Sequence, residues 1–260
     1  MTIWQAIVLG AVQGLTEFLP VSSSGHLVLV DKLLFLKGNS LALDVFLHTG
    51  TLLAVVSYYF REILALVRRP FSKLGLRLLV STIPTVFIAL LFEKTFEQIF
   101  HSGATLGIEF VITGVLLLYV EARFDQRGIP KERISLSGAF FIGLAQGAAI
   151  LPALSRSALT LCTALGFGMK REDAVQYSFL LSVPVVFGAT IFEVKDVGTT
   201  SLAMGSTLWL ALAASAVTGY LAIWGMTKLI KTMSLRPFGY YTLLLGLLVL
   251  MDQTFFHQFF

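Results

Sequence analysis

Residues 17–26 read EFLPVSSSGH, and this short polar stretch interrupts an otherwise apolar N-terminal segment. It brings together one carboxyl group, three hydroxyl groups and one imidazole. Serines that follow a proline are common helix N-caps, so a cap is the simplest structural interpretation of the stretch. The alternative interpretation is a reaction centre inside a membrane.

The composition of the whole chain indicates the environment of this stretch. Hydrophobic residues make up 56% of the 260 residues and charged residues only 13%, whereas soluble globular chains carry about 25% charged residues. The mean hydropathy is +0.84, so polar surface is too scarce for a soluble globule. The net charge of +4 fits basic loops between apolar segments better than a nucleic-acid surface. We therefore interpret the chain as an integral membrane protein with no nucleic-acid partner.

Two further features narrow the class. Cys162 is the single cysteine and lies in an apolar run, which excludes a disulfide framework and a cysteine metal site. The N-terminus, MTIWQAIVLG, has no basic region of the kind that opens a signal peptide. We expect this first apolar segment to stay in the structure.

Five stretches approach the roughly 20 apolar residues that a spanning helix needs, namely residues 75–92, 104–122, 173–193, 204–227 and 238–256. Residues 2–19 and 137–151 are shorter, contain polar side chains and end at Pro20 and Pro152. Unpaired backbone is tolerated in a membrane only where protein or water covers it. We therefore expect an all-α integral membrane protein, a polytopic helical bundle in which these two segments are broken or re-entrant helices lining a cavity.

Basic residues give the orientation. They cluster between Arg61 and Arg77, between Arg123 and Arg133, and between Lys228 and Arg236. The positive-inside rule places all three clusters in the cytoplasm. The loops 93–103 and 194–203 are poor in positive charge and are expected on the outer side.

An internal repeat appears when residue n is compared with residue n+133. The matches concentrate in the two proline-terminated segments and keep one offset, which argues against coincidence in a chain of low diversity. We predict a single transmembrane domain over residues 1–260, made of two repeat halves, about 1–125 and 134–260, with the site at their interface. The halves are parallel or inverted according to the number of spans in each. Matching pairs are Gly10 and Gly143, Gln13 and Gln146, Ser22 and Ser155, Ser24 and Ser157, and Phe46 and Phe179.

Polar side chains accumulate in these repeat-related segments. Gln13 and Glu17 are four residues apart, so both face one side of a helix. Arg156 lies in the second copy, and an arginine in a transmembrane context costs about 2.5–3.5 kcal/mol and usually faces a cavity or a partner. Its guanidinium suits phosphate or carboxylate, so it either binds an anion or is a structural partner of Glu17. We expect hydroxyls and helix-start N–H groups to complete an anion site, and the candidate substrate-binding residues are Gln13, Ser22, Ser24, Ser155, Ser157 and Thr160.

These groups suit phosphoryl transfer to water. Arg156 would neutralise the charge on the transferred group, since positioning and electrostatics dominate such reactions. Ser23 is a candidate nucleophile with His26 as its base; alternatively the imidazole attacks, or orients a water molecule. Glu17 is a candidate general base or the holder of a divalent cation. No second carboxylate is visible, so any metal is expected to bind with the phosphates of the substrate.

Other polar residues receive lesser roles. Asp44 and His48, four residues apart, are predicted either to support the site or a metal, or to form an interfacial pair. Glu109 lies near a predicted membrane boundary and is expected at the interface.

Several stretches resemble a known family. AVQGLTEFLPVSSSGH (Ala11–His26) closely resembles the first signature of the bacterial undecaprenyl-pyrophosphate phosphatase family, also called the bacitracin-resistance protein family. PALSRSALT (Pro152–Thr160) is similar to its second signature. The resemblance continues at Phe46–Val55, Ser178–Pro184 and Pro237–Tyr241, so it covers nearly the whole chain.

The resemblance implies a function and a setting. The activity would be hydrolysis of undecaprenyl pyrophosphate to undecaprenyl phosphate and inorganic phosphate, which recycles the lipid carrier for peptidoglycan and other envelope polymers and gives bacitracin resistance. The implied fold is a helical bundle with re-entrant helices and an inverted repeat in the bacterial inner membrane. The reaction centre would face the outer side, and Mg²⁺ or Ca²⁺ would stimulate it. The partners would be a polyprenyl pyrophosphate and membrane lipids, and a homodimer is compatible with the sequence.

By matching positions, the resemblance also assigns roles. The acidic role falls on Glu17, the serine role on Ser23 or a neighbour, the imidazole role on His26 and the phosphate-binding role on Arg156. Glutamine at position 13, where the family often has an acid or a glutamine, leaves one carboxylate at the site. Ala153 stands where the second signature usually has glycine, which would permit positive φ or close backbone approach. The turn is therefore expected to differ slightly, or the activity to be weaker.

Two other functions compete. A flippase or transporter for a polyprenyl phosphate fits the pseudo-symmetric plan of broken helices. An acid-phosphatase-type lipid phosphatase fits the pairing of Ser155 with Arg156, but the later histidine and aspartate of those enzymes are missing.

Overall fold

Helices make up the regular structure of this protein, for which a computed structural model describes residues 1–34, 41–123, 131–194 and 205–258. Side chains of residues 93–102, 132, 193 and 194 lie outside that description. The described residues form no β-strand, and their α-helices are α1 (Ile3–Phe18), α2 (Ser23–Leu33), α3 (Leu41–Tyr58), α4 (Phe60–Arg68), α5 (Lys73–Ser102), α6 (Leu106–Arg123), α7 (Leu136–Ala148), α8 (Arg156–Gly166), α9 (Arg171–Val194), α10 (Ser206–Leu229) and α11 (Arg236–Met251).

Five of these helices are long and apolar enough to cross a membrane, which confirms the predicted polytopic all-α membrane protein. They span Leu41–Tyr58, Lys73–Phe92, Arg171–Phe192, Ser206–Leu229 and Arg236–Phe256. Four correspond to predicted stretches. The sequence prediction missed α3, because Asp44 and His48 interrupt its apolar run. The predicted stretch 104–122 forms α6, whose three charged residues keep it out of the set of five.

The loop predicted over residues 93–103 was wrong for most of its length. Residues 93–102 continue α5 as helix to Ser102. Residues 195–204, which hold most of the second predicted outer loop, lie outside the described part of the chain.

The three basic clusters meet at one end of the bundle, here called the basic end. Arg77, at the start of α5, donates from Nε to the carbonyl oxygen of Ile134 at 2.5 Å, just before α7. Arg171, at the start of α9, pairs through Nη2 with Glu121 Oε2 of α6 at 2.7 Å. Its Nη1 also donates to the carbonyl oxygen of Met233, after α10, at 3.4 Å. These contacts join all three clusters.

Helix α1 runs alongside α10 in the same direction and ends near the middle of it. A Cβ on Gly10 would lie 2.3 Å from the carbonyl oxygen of Ala211, so only glycine permits this approach. Farther along, Phe18 packs against Gly219. Since α10 ends at the basic end, α1 enters the bundle from the opposite end.

Helix α7 runs alongside α5, again in the same direction. The hydroxyl of Ser81 donates to the carbonyl oxygen of Ala139 at 2.6 Å, and that of Thr85 donates to the carbonyl oxygen of Gly143 at 2.9 Å. Both helices start at the basic end, so α7 and α1 point in opposite directions. An inverted repeat requires this relation; the division into two halves and the re-entrant course stay predictions.

Buried apolar side chains fill the space between the end of α1 and the basic end. Phe18 contacts Phe179 edge-on, with ring centroids 5.3 Å apart. The same cluster extends to Ile134, Ile230 and Leu235. A layer of buried apolar side chains therefore lies between the polar ends of α1 and α7 and the basic end.

Candidate active site

The carboxylate of Glu17, at the end of α1, is the centre of the polar contacts. Gln13, one turn earlier and fully buried, donates from Nε2 to Glu17 Oε2 at 3.1 Å. The hydroxyl of Ser23 donates to the same oxygen at 2.5 Å. Arg156 Nη2 pairs with the other oxygen, Oε1, at 2.8 Å. Both carboxylate oxygens are thus engaged by residues from the two predicted repeat halves.

Arg156 combines the two roles that its sequence context suggested. It forms the ion pair with Glu17, which compensates each charge in a buried setting, and it also lines a cavity. Its remaining contacts are long: Nη1 to the carbonyl oxygen of Ser178 and Nη2 to that of Glu17, both at 3.4 Å. A guanidinium carries five N–H donors in a fixed plane, so it retains donors for an anion in the cavity.

The three serines of the first signature have different partners. Ser22 adopts a left-handed φ of 71°, uncommon for a residue other than glycine, and caps α2 by accepting the N–H of Gly25 at 3.3 Å. Its hydroxyl donates to the carbonyl oxygen of Pro152 at 3.1 Å, and the hydroxyl of Ser24 donates to that same oxygen. Only Ser23 is directed at Glu17. Ser22 and Ser24 therefore attach the first signature to the second.

Residues of the second signature also contact the first. Ser155 caps α8 by accepting the N–H of Ala158 at 3.2 Å, and Ser157 donates to the carbonyl oxygen of Leu19 at 2.8 Å. Thr160, one turn into α8, donates to the carbonyl oxygen of Arg156 at 2.8 Å. The caps place the positive N-terminal ends of α2 and α8 beside each other.

His26 lies apart from Ser23. Its Nδ1 is 2.6 Å from the carbonyl oxygen of Ser22 and its Nε2 is 2.7 Å from the hydroxyl of Tyr241. The ring also stacks on Tyr241 and meets Phe110 edge-on. With both nitrogens engaged in this way, the predicted His26–Ser23 hydrogen bond is not formed, because the imidazole points toward α11.

A cavity of about 180 Å³ lies where these elements meet. The predicted site residues on its surface are Glu17, Ser22, Ser23, Ser24, Ser155, Arg156 and Ser157. Gln13, His26 and Thr160 are not among its lining residues, so the predicted direct contact of Gln13 and Thr160 with a substrate is not supported by their positions. Both instead support residues that do line it.

Five polar residues of the cavity surface were not predicted as substrate-binding. His48 of α3 lines it and bonds through Nδ1 to the backbone oxygen of Asp44 at 2.9 Å, so the predicted Asp44–His48 pairing involves main chain. The others are Thr16, Thr85, Gln146 and Thr190, which come from α1, α5, α7 and α9. The repeat offset from Gln13 pointed to Gln146, whereas Thr85 and Thr190 carry no signal in the sequence.

Glu109 was wrongly expected at the membrane interface. It is 3% exposed and accepts the N–H of Ala153 through Oε2 at 2.6 Å. Thr113, one turn later, accepts the N–H of Ser155 at 3.2 Å. Glu109 and Thr113, on one face of α6, therefore fix through these hydrogen bonds the turn that leads to Arg156. The turn takes Ala153 without a positive φ, so the departure from glycine introduces no backbone strain.

A metal held by protein alone does not fit these residues. Among the described residues, no group of three or more histidine, cysteine, aspartate or glutamate side chains comes together. The oxygens of Glu17, the predicted metal ligand, already accept three hydrogen bonds. A cation here would need oxygens from another molecule.

Fold and site together define a polytopic helical membrane protein with a charged, hydroxyl-rich cavity between the starts of two short helices. The sequence matches the family described as "Bacitracin resistance protein BacA" over residues 6–248. It is 43% identical to an undecaprenyl-diphosphatase of Carboxydothermus hydrogenoformans over 97% of this chain and 98% of the relative. It is 44% identical to undecaprenyl-diphosphatase 4 of Bacillus cereus (96% of each chain) and 40% identical to an undecaprenyl-diphosphatase of Alcanivorax borkumensis (95% and 97%). The chain belongs to the bacitracin resistance protein family, as its signatures predict.

Proposed function

We propose that this protein is a membrane-embedded phosphatase that hydrolyses undecaprenyl pyrophosphate to undecaprenyl phosphate and inorganic phosphate. It thereby recycles the lipid carrier for envelope polymers and gives bacitracin resistance. The names of the full-length relatives support a hydrolase, and nothing in the comparisons favours a flippase. The observation that carries the proposal is the contact of Glu17 with both Ser23 and Arg156 at the cavity surface.

The geometry suits Ser23 as the nucleophile and Glu17 as its base. The Ser23 hydroxyl already donates to Glu17 Oε2 at 2.5 Å, within the reach required for proton transfer. Ser23 Oγ attacks the terminal phosphorus, and the anhydride bond to the lipid phosphate breaks. Glu17 accepts the serine proton and passes it to the leaving phosphate oxygen. Water then hydrolyses the phosphoserine, and the serine recovers a proton through Glu17.

Arg156 and the two helix starts provide the electrostatic part of this reaction. The guanidinium faces the same carboxylate as Ser23, so a phosphoryl group attacked by Ser23 lies next to it. The N-terminal ends of α2 and α8 add partial positive charge from backbone N–H groups. Removing one such preorganised donor typically lowers turnover by about 10²–10³.

The outer side of the inner membrane is the proposed location of the site. The basic end is assigned to the cytoplasm by the positive-inside rule. The lining residue Thr190 lies in the last turns of α9 and Thr85 lies more than three turns into α5, and both helices start at the basic end. The apolar cluster around Phe18 and Phe179 separates the cavity from that end.

A divalent cation, Mg²⁺ or Ca²⁺, is proposed to reach the site with the pyrophosphate, since Glu17 is the only acidic residue that the described part of the chain contributes to the cavity surface. We also propose, from the sequence alone, that the protein forms a homodimer. No step of the mechanism above depends on either.

The test is release of inorganic phosphate by the purified protein in detergent, with undecaprenyl pyrophosphate as substrate. We expect multiple turnovers, and loss of nearly all turnover in Arg156→Ala and Glu17→Ala that remain folded. Tight lipid binding by the wild-type protein without any phosphate release would instead point to a transporter.

A further inference from the structure

Gln146 presents an acceptor that no described residue satisfies. It is 2% exposed and lines the cavity on the side formed by α5, α7 and α9. Its Nε2 donates to Thr85 Oγ1 at 3.3 Å, whereas its Oε1 is buried without a hydrogen-bond donor among the described residues. Burying an acceptor without a hydrogen bond is unfavourable. A molecule in the cavity is therefore expected to bring the donor.

Thr85 fixes the orientation of the Gln146 amide. The Thr85 hydroxyl has one proton and two carbonyl acceptors within reach, that of Gly143 at 2.9 Å and that of Ser81 at 3.1 Å. With the proton donated to one of these carbonyls, the hydroxyl oxygen accepts from Gln146 Nε2. The amide nitrogen of Gln146 faces Thr85, and the carbonyl oxygen is left for a ligand.

Thr190 supplies a second buried polar atom without a hydrogen-bond partner among the described residues. Its Oγ1 is buried, has no partner among the described residues, and belongs to the same cavity surface. A hydroxyl donates and accepts, so Gln146 and Thr190 together offer one acceptor and one group of either kind. An ionised pyrophosphate brings acceptors and cannot satisfy Gln146 Oε1. A water molecule can, and two polar partners are enough to hold one.

We propose that Gln146 and Thr190 bind the water molecule that receives the phosphoryl group. This inference rests on the proposed phosphatase function and identifies where its second reactant is held. The water oxygen forms a bond to phosphorus, and the bond from phosphorus to Ser23 Oγ breaks. One water proton passes through Glu17 to Ser23, and the other, donated to Gln146 Oε1, stays on the product. The side of the cavity formed by α5, α7 and α9 thus orients the attack.

Competition between water and methanol tests this role. The purified protein hydrolyses undecaprenyl pyrophosphate in the presence of methanol, and methyl phosphate and inorganic phosphate are both measured. Gln146→Met has a similar volume but no acceptor, so loss of one hydrogen bond to the water is expected to lower phosphate release about tenfold. Methanol has a single hydroxyl proton, which it gives to the base, so it has none to donate to Gln146 Oε1. The ratio of methyl phosphate to inorganic phosphate therefore rises. Thr190→Val gives the same shift, and Thr190→Ser restores the wild-type ratio.

Gln13→Met is the matched control. It makes the same chemical change at the repeat-related position, whose Oε1 is also buried without a partner among the described residues but which contacts Glu17 and does not line the cavity. It is expected to lower total turnover and leave the product ratio at the wild-type value. An unchanged ratio in both Gln146→Met and Thr190→Val overturns the water site, whatever their turnover. A higher Mg²⁺ requirement at an unchanged ratio also overturns it and makes Gln146 a cation ligand. Absence of any phosphate release by the wild-type protein would reject the phosphatase itself.

Discussion

Ser24 and Ser157 make equivalent hydrogen bonds in opposite directions across the site. Ser157 donates to the carbonyl oxygen of Leu19 at 2.8 Å, and Ser24 donates to the carbonyl oxygen of Pro152. Ser24 and Ser157 are 133 residues apart, and so are Leu19 and Pro152. Such reciprocity is typical of parts related by a two-fold axis, in which i meets j and j meets i. The two signatures therefore hold each other in place.

The division of labour among the serines predicts different outcomes for neighbouring substitutions. Ser23→Ala removes the proposed nucleophile and is expected to lower turnover by at least about 10². Ser24→Ala removes one hydrogen bond between the signatures, worth about 1 kcal/mol or less, and should lower the melting temperature more than the activity. Phosphate release and thermal unfolding in detergent measure both effects. An inactive Ser24→Ala beside an active Ser23→Ala would reverse the assignment.

The Glu17–Arg156 pair predicts a stability effect separate from activity. Removing one partner of a buried ion pair leaves the other uncompensated, which typically costs about 3–5 kcal/mol; here the two side chains are 8% and 14% exposed. Arg156→Met is therefore expected to lower the unfolding temperature strongly. Glu17→Gln combined with Arg156→Met should recover most of that loss and stay inactive. Recovery of turnover in the double variant would show that the pair is only structural.

The His26–Tyr241 contact gives a test of the imidazole's role. Since Nδ1 and Nε2 are engaged by Ser22 and Tyr241, His26→Gln is expected to lower turnover moderately by loosening the start of α2. Tyr241→Phe should have a similar effect, and the pH dependence of turnover should keep its wild-type shape in both. If His26→Gln loses one limb of the pH profile of turnover and Tyr241→Phe keeps both limbs, His26 acts as a general base.

Much of the site could be predicted from local sequence. The four-residue spacing of Gln13 and Glu17 implied one helix face, and their side chains do form a hydrogen bond. Arg156 stood out because a charge in an apolar run requires a partner or a cavity, and it has both. The repeat offset then indicated that the two signatures meet.

Other features depend on contacts that local sequence does not encode. The direction of Ser23 follows from the left-handed φ of Ser22. The orientation of His26 depends on Tyr241, 215 residues away. Glu109 has the hydropathy of a boundary residue, and only the N–H of Ala153, 44 residues later, explains its burial.

Glu109 is expected to matter for the turn before Arg156. Glu109→Ala leaves the buried N–H of Ala153 without its acceptor, a loss of about 1–3 kcal/mol. We expect a lower melting temperature and a lower turnover, because Arg156 starts the helix that follows. Glu109→Gln keeps an acceptor oxygen and should retain most of both. Equal damage in the two variants would mean that the charge, and not the hydrogen bond, is what the turn requires.

The close approach of α1 to α10 predicts that Gly14 cannot be enlarged. A Cβ at Gly14 would lie 2.1 Å from Thr218 Oγ1 and 2.4 Å from the carbonyl oxygen of Ser215. The second contact is with backbone, so Gly14→Ala must push the two helices apart. Because Glu17 follows one turn later on α1, its carboxylate would move away from Arg156.

Gly14→Ala is expected to lower phosphate release about tenfold or more, since small misplacements of reacting groups can lower rates by up to about 10². Gly225→Ala is the matched control on α10 itself, where an added Cβ meets nothing within 4 Å. It should leave turnover unchanged, and its melting temperature should hold or rise because alanine favours helix over glycine by about 0.5–1 kcal/mol. A Gly14→Ala protein with normal turnover would show that the Glu17–Arg156 geometry tolerates separation of the helices.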